Sequence, residues 1–305
     1  NATYDAGWLR WAGVRVEGRI IDTMIAAPLI DENRFSYSLN NLGRDYIGVG
    51  KSEASLRAAA KSFGLDPKKD MWRLPAKYVG AYAEQDARMT LKLWNRFEPE
   101  LASQDLKTIF DLETSLIPLM IDMRERGVKV DVDGAERAKK KLMGMKIEIN
   151  TDIKRDLGFN VEPWVATSVA KAFDYYKIPY NKTDTSNKPS FTKAYLQGCP
   201  HPIAAKILRL RELDKAHNTF IDSILRHEHK GRIHCEFHQL RSDDGGTVTG
   251  RFSSSNPNLQ QIPAREPEIK SLIRGLFVPE DGHKWGSFDY SSQEPRLLGH
   301  YCASL

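Results

Sequence analysis

The sequence predicts a multidomain protein of mixed α/β and α+β class, and three observations carry that reading. The chain has 305 residues, enough for roughly two domains. Long stretches, above all residues 77–96 and 202–226, repeat apolar side chains at helical spacing. Short stretches at 19–24, 232–239 and 284–289 read as strands, the second by alternation of Ile233, Cys235 and Phe237 with His234, Glu236 and His238.

Composition narrows the class. Hydrophobic residues make up 41% and charged residues 28%, so a soluble globular protein with a sizeable core is expected. No stretch is long and apolar enough to span a membrane, and no basic-then-apolar leader opens the chain. The net charge of +5 suits a polyanionic partner without requiring one. Three dispersed cysteines, Cys199, Cys235 and Cys302, suggest neither a disulfide framework nor a zinc site, so a reducing cytoplasm is the expected compartment.

The first hundred residues read as a helical segment with isolated acidic positions. Asn1-Ala2-Thr3-Tyr4-Asp5 opens the chain, and Asp5 alone reads as a cap or turn residue. Residues 19–24 read as a strand entering a helix, and Ser38 as the N-cap of a helix over Leu39–Leu42. In residues 77–96, Val79, Tyr82, Asp86, Met89 and Leu93 share one face. Tyr82 and Asp86 lie one turn apart and reach one point. An aspartate on such a face is costly unless it binds metal or pairs with Arg88 or a lysine, and the motif alone leaves both readings open.

The middle of the chain is read as helix after helix. Residues 111–126 form an amphipathic helix showing Leu112, Leu116, Leu119, Met120 and Met123, with Pro118 as a kink and Gly127 as its stop. Residues 135–157 continue with Leu142, Met145, Ile149 and Ile153 inward. The Lys139-Lys140-Lys141 run is either a solvated face or a sequence-blind phosphate contact. A short helix follows at 167–176 with Val165, Val169 and Phe173 inward. Residues 181–189 read as a polar, basic loop. Residues 202–226 bury Ile207, Leu210, Leu213, Phe220, Ile221 and Ile224, while Arg209, Arg211 and Lys215 face phosphate or solvent.

The last part carries the most specific signals. Ser242-Asp243-Asp244-Gly245-Gly246 reads as a turn or loop. It leads into Thr249-Gly250-Arg251-Phe252-Ser253-Ser254 and Asn256-Pro257-Asn258-Leu259-Gln260-Gln261-Ile262-Pro263. A long cation such as Arg251 suits minor-groove acceptors that all base pairs share. Residues 284–289 then read as a strand ending in Asp289, followed by Tyr290-Ser291-Ser292-Gln293-Glu294-Pro295-Arg296 at the start of a helix. A carboxylate at a strand end is a good magnesium platform.

These two blocks, in this order, resemble the palm of family A DNA polymerases, the DNA polymerase I type, and the Asp243–Gly246 insertion with no recognisable 5′-nuclease portion suggests the bacteriophage kind. The series Asn1–Asp5, Asp22-Thr23-Met24, Ser38–Leu42 and Tyr82–Asp86 resembles the ribonuclease H-like 3′–5′ proofreading exonuclease that precedes the polymerase in that family. The resemblance implies residues 1–105 as the C-terminal part of the exonuclease, 106–230 as a helical thumb and 231–305 as the start of an antiparallel-sheet palm. It implies Asp5 and Asp86 as metal ligands with Tyr82 orienting the attacking water, and Asp289 with the Tyr290 carbonyl as the polymerase metal ligands. Glu294 becomes the gate against a ribose 2′-OH, and Arg251, Asn258, Gln260, Arg296 and His300 become DNA- or site-supporting residues. Magnesium is the implied cofactor. Primer-template DNA and deoxynucleoside triphosphates are the implied partners, with a processivity factor or replisome proteins besides, in the host cytoplasm if phage-encoded.

The family's Asp-x-Glu motif and its motifs B and C are not found, so the chain is expected to be an internal piece, inactive alone. A subunit of a split polymerase and a non-catalytic DNA-binding remnant are the alternative readings.

Overall fold

Side-chain caps decide where the first helices begin. A computed structural model of the chain describes residues 1–243, 245–263 and 266–303. The Asn1 side chain accepts from the Tyr4 N–H and starts α1 (Ala2–Trp11). Asp22, buried, accepts from the Met24 N–H at 2.8 Å and starts α2 (Thr23–Ile30), while its other oxygen accepts from the Ala2 N–H at 2.6 Å. The strand expected just before α2 does not form. Residues 19–22 pair with no strand among the described residues, and Asp22 serves as a cap. Ser38 caps α3 (Leu39–Ile47), as expected. After α4 (Ala54–Ser62) comes α5 (Ala76–Ser103), longer than its periodicity suggests, and α2 and α3 pack across it. Gly43 makes that packing close, because a Cβ there would lie 2.4 Å from the Met89 methyl.

The expected single helix over 111–126 is two helices, α6 (Lys107–Ser115) and α7 (Ile117–Arg126). Pro118 sits in the first turn of α7, where its missing N–H has no intrahelical role. The break does not shift the helical phase: Phe110, Glu113, Thr114, Ile117, Met120 and Ile121 keep one face across it. Phe110, Ile117, Met120 and Ile121 turn inward, whereas Leu112 is 54% and Leu119 49% exposed. The first core therefore joins Ile25, Leu42, Leu93, Phe97 and Leu101 to Phe110 and Ile117.

β1 (Val128–Lys129) leads to α8 (Val132–Leu157), whose Asp131 cap accepts from the Gly134 N–H. Then come α9 (Ala166–Tyr175), the hairpin β2 (Asn181–Lys182) and β3 (Pro189–Ser190), α10 (Lys193–Gly198) and α11 (Pro202–Asp214). The loop expected at 181–189 is thus a two-stranded hairpin, closed by Asn181 opposite Ser190. Val165 is the N-cap of α9 and half-exposed rather than inward, and Ala170 and Ala172 fill the core beside Val169 and Phe173.

From α11 the rod passes through a π-helical stretch, Lys215–Ile221, into α12 (Asp222–His227). Leu213, Ala216, Phe220, Ile221 and Ile224 all face inward, as their helical spacing required. Two cores line the rod: one around Phe173, Leu196 and Ile207 with the distal end of α8, the other around Leu142, Phe220 and Ile273. Ile149 packs against both.

The alternating stretch at 232–239 divides between two sheets. β4 (Glu228–His229) and β1 flank β5 (Arg232–Ile233), while β6 (Glu236–His238) pairs with β7 (Ser253–Ser255) in the register Phe237 opposite Ser254. Ile233 and Cys235 are buried, as alternation required. α13 (Pro267–Arg274) closes the second core with Ile269 and Ile273. Of the turn expected at 242–246, Ser242 and Gly245 form a bridge, and Asp244 lies outside the described residues. The strand expected at 284–289 is absent. Those residues pair with no described strand, and α14 (Gln293–Ala303) buries no side chain. Extended backbone becomes a strand only when a neighbour takes its hydrogen bonds.

Candidate functional site

Asp86 and Tyr82 stand on the half-buried face of α5, one turn apart, as their spacing requires. A third group meets them: the Lys51 ammonium donates to Asp86 Oδ2 at 2.6 Å and to Tyr82 Oη at 2.9 Å. The loop carrying Lys51 is held on both sides. The Lys51 N–H donates to Asn40 Oδ1 at 2.9 Å, and the Ser52 N–H donates to Gln85 Oε1 at 3.0 Å. Burial works to lower the Lys51 pKa, but its hydrogen bonds to Asp86 and Tyr82 outweigh that, and the ammonium is held above the ordinary lysine value. Arg88 turns away to Glu84. Nothing in the sequence points to Lys51, since it lies 35 residues from Asp86 and only the folding of α3 against α5 brings it in.

Asp5 lies in the first turn of α1, exposed, on a helix that packs against α7. No described contact joins it to Asp86. Asp86 Oδ1 is buried and has no hydrogen-bond partner, so one oxygen of that carboxylate is available to a cation. Yet no group of three or more His, Cys, Asp or Glu side chains converges among the described residues. The described residues therefore do not close a two-metal cage.

The second constellation lies on the exposed C-terminal face. Arg251 pairs with Glu294, 43 residues on, joining the two most specific motifs; both side chains are largely exposed. Asp289 and Tyr290 lie five and four residues before Glu294 and are exposed. Asn258 accepts from the Gln260 N–H at 3.0 Å and from the Ser254 hydroxyl at 3.3 Å. The Gln260 amide donates to the Phe252 carbonyl at 2.9 Å. These two residues thus shape the loop that presents Arg251. Arg296 donates to the Ser291 carbonyl, and His300 contacts the Tyr301 ring edge-on. Of the strand histidines, His234 meets the Arg124 carbonyl and His238 meets the Ser255 hydroxyl.

The basic residues of the helical region are mostly committed inside the protein. Lys139 pairs with Asp222 at 2.8 Å, Lys141 with Glu268 at 3.4 Å, and Arg209 with Glu268. Arg211 faces neither phosphate nor solvent. It donates to the Pro163 and Phe191 carbonyls and lies over the Trp164 ring, and burial lowers its pKa.

In chain order, a helical arm thus separates the Lys51–Tyr82–Asp86 cluster from the exposed Arg251–Glu294 pair. The family model described as DNA polymerase family A matches residues 135–304, and the 3′-5′ exonuclease model matches residues 1–102. The chain belongs to DNA polymerase family A. It is 39% identical to a DNA-directed DNA polymerase of Pseudomonas phage M6, over 99% of this chain and 47% of that protein. It is 33% identical to DNA polymerase DpoZ of Acinetobacter phage SH-Ab 15497, over 99% of this chain and 52% of that one. The chain spans about half the length of these curated relatives. Its fold resembles the POL domain of Pol1 from M. smegmatis, a structure solved in complex with DNA primer-template and dNTP. The TM-score is 0.73 at 23% identity, over 90% of this chain and 44% of that one. Domains of these two kinds are generally metal-dependent. No helix among the described residues is long and apolar enough to cross a membrane.

Proposed function

We propose that this chain serves template-directed addition of deoxynucleotides to a primer 3′ end, in DNA replication, coupled to 3′–5′ proofreading. Residues 1–105 act in the exonuclease, 106–230 as the thumb and 231–305 as the beginning of the palm. The observation that carries this is the meeting of Arg251 with Glu294, five residues after Asp289, in a segment that matches the family A polymerase model. Arg251 is placed to leave Glu294 for the minor-groove edge of the primer-terminal pair, an exchange of one acceptor for another at an exposed site.

Asp289 and the Tyr290 carbonyl are the proposed magnesium ligands of the polymerase site, and Asp5 and Asp86 those of the exonuclease site. Magnesium usually takes one or two carboxylates from protein and completes its shell with water and substrate phosphates. Glu294 then crowds a 2′-OH, Asn258 and Gln260 hold the loop along DNA, and Arg296 and His300 support the helix start. Primer-template DNA and deoxynucleoside triphosphates are the substrates. The host cytoplasm is the compartment, and a processivity factor is a further partner. In the full-length protein, Asp289→Ala should abolish nucleotide addition while primer-template binding stays close to the unsubstituted level. Near-normal primer extension by that variant overturns the reading.

A further inference from the structure

The contact of Lys51 with Tyr82 and Asp86 is not used by the proposed roles of those residues. A lysine ammonium has three N–H donors and no acceptor. Two are spent, one on Asp86 Oδ2 at 2.6 Å and one on Tyr82 Oη at 2.9 Å. The third has no acceptor among the described residues, and the side chain is 18% exposed, so it is not sealed from solvent. Because the phenol oxygen accepts from Lys51, the Tyr82 hydroxyl proton must point elsewhere, which fixes its orientation. The ammonium also lies 5.0 Å from the Tyr82 ring centroid, so both oxygen and ring hold it. The backbone on either side is pinned by Asn40 and Gln85, so the lysine is delivered by a fixed loop and not by a free surface chain.

Building on the exonuclease reading, we infer that Lys51 is a further functional residue of that site: it positions the Tyr82 hydroxyl and offers its remaining N–H to a phosphate oxygen of single-stranded DNA. The ligand class is a phosphodiester, because the free valence is a charge-assisted donor and has no use for a neutral group. Lys51 does this while still bonded to Asp86, so neither partner is left as an unpaired half-buried charge.

The test measures binding in EDTA, apart from any turnover. A 5′-labelled oligothymidylate is titrated with the full-length protein by fluorescence anisotropy over a range of KCl, comparing the unsubstituted protein with Lys51→Met and Lys51→Arg. Losing one charge-assisted hydrogen bond weakens binding roughly tenfold. Losing one phosphate contact on a single strand makes the slope of log K against log salt shallower by about 0.7. Lys51→Arg should restore the slope but not the cleavage rate, because a planar guanidinium does not hold Tyr82 in the same direction. Lys51→Met should raise KM for single-stranded DNA and lower kcat as well.

Unchanged affinity and slope in Lys51→Met, with melting intact, overturns the inference, as does a loss of stability alone. If Lys51→Met does not fold, Lys51→Gln is read by the same two quantities. Asp86→Ala separates the two levels. If that variant still degrades single strands, the exonuclease reading itself fails; if it is inactive while Lys51→Met matches the unsubstituted protein, only the Lys51 role fails.

Discussion

Phe173→Ala should loosen the tip of the helical arm and leave the rest of the chain closed. Phe173 is fully buried, and its ring centroid lies 4.8 Å from that of Phe191, 6.0 Å from Tyr195 and 6.4 Å from Tyr180. Truncating a core phenylalanine costs about 3–5 kcal/mol, and aromatic pairs add about 0.5–1.5 kcal/mol each beyond burial, so the upper part of that range is expected. The loss should stay local, because Ile149 is the chief apolar bridge from this core to the one around Leu142 and Phe220. Hydrogen exchange read by mass spectrometry measures this. A loss of about 4 kcal/mol raises opening of α9, α10 and the distal end of α8 by a factor on the order of a thousand. Exchange in α5 around Leu93 and Phe97 should not change, as these belong to a separate core. A rise below about tenfold, or an equal rise in α5, would refute the claim that the arm has its own core.

Two further outcomes follow from single side chains. Burial pushes the Glu113 carboxyl above its ordinary 4.5, and the Gln239 amide, 2.9 Å away, only partly offsets this. A raised folded-state pKa means that this group's stabilisation is complete below the unfolded value and is lost as pH rises through the folded one. Glu113→Gln keeps the acceptor for Gln239, so its melting temperature should exceed the parent's increasingly from about pH 4.5 upward and then level off. A pH-independent difference in thermal melts would reject the buried charge as cause. In primer extension, Glu294→Ala should raise ribonucleotide incorporation relative to deoxynucleotide, and unchanged discrimination would remove Glu294 from the gate role.

Helical packing was largely legible in advance, because burial along a helix repeats locally. Leu142 and Ile153 on α8, and Ile207, Leu210 and Leu213 on α11, are inward as their spacing demanded. Reading went wrong over 111–126, where two apolar faces compete: the face of Phe110, Ile117, Met120 and Ile121 is buried, and Leu112 and Leu119 on the other face are exposed. Strands fared worse, because pairing is decided by distant neighbours. Residues 232–239 alternate as one strand yet serve two sheets, and residues 284–289 have the composition of a strand without a described partner. The motif residues were visible by resemblance, and the Arg251–Glu294 pair joins two of them. Lys51 was not visible, because no spacing rule links a loop lysine to an aspartate on the next long helix. The fates of Lys139 and Arg211 were equally hidden, since whether a cation faces solvent, a carboxylate or a buried carbonyl depends on which helix lies opposite.

The proposed function is that the full-length protein both lengthens and shortens a DNA 3′ end. The most direct measurement incubates the full-length protein and magnesium with a 5′-labelled primer annealed to a longer template, with and without deoxynucleoside triphosphates. The account predicts template-directed lengthening when they are present and stepwise shortening from the 3′ end when they are withheld. A primer that is bound but neither lengthened nor shortened would contradict it.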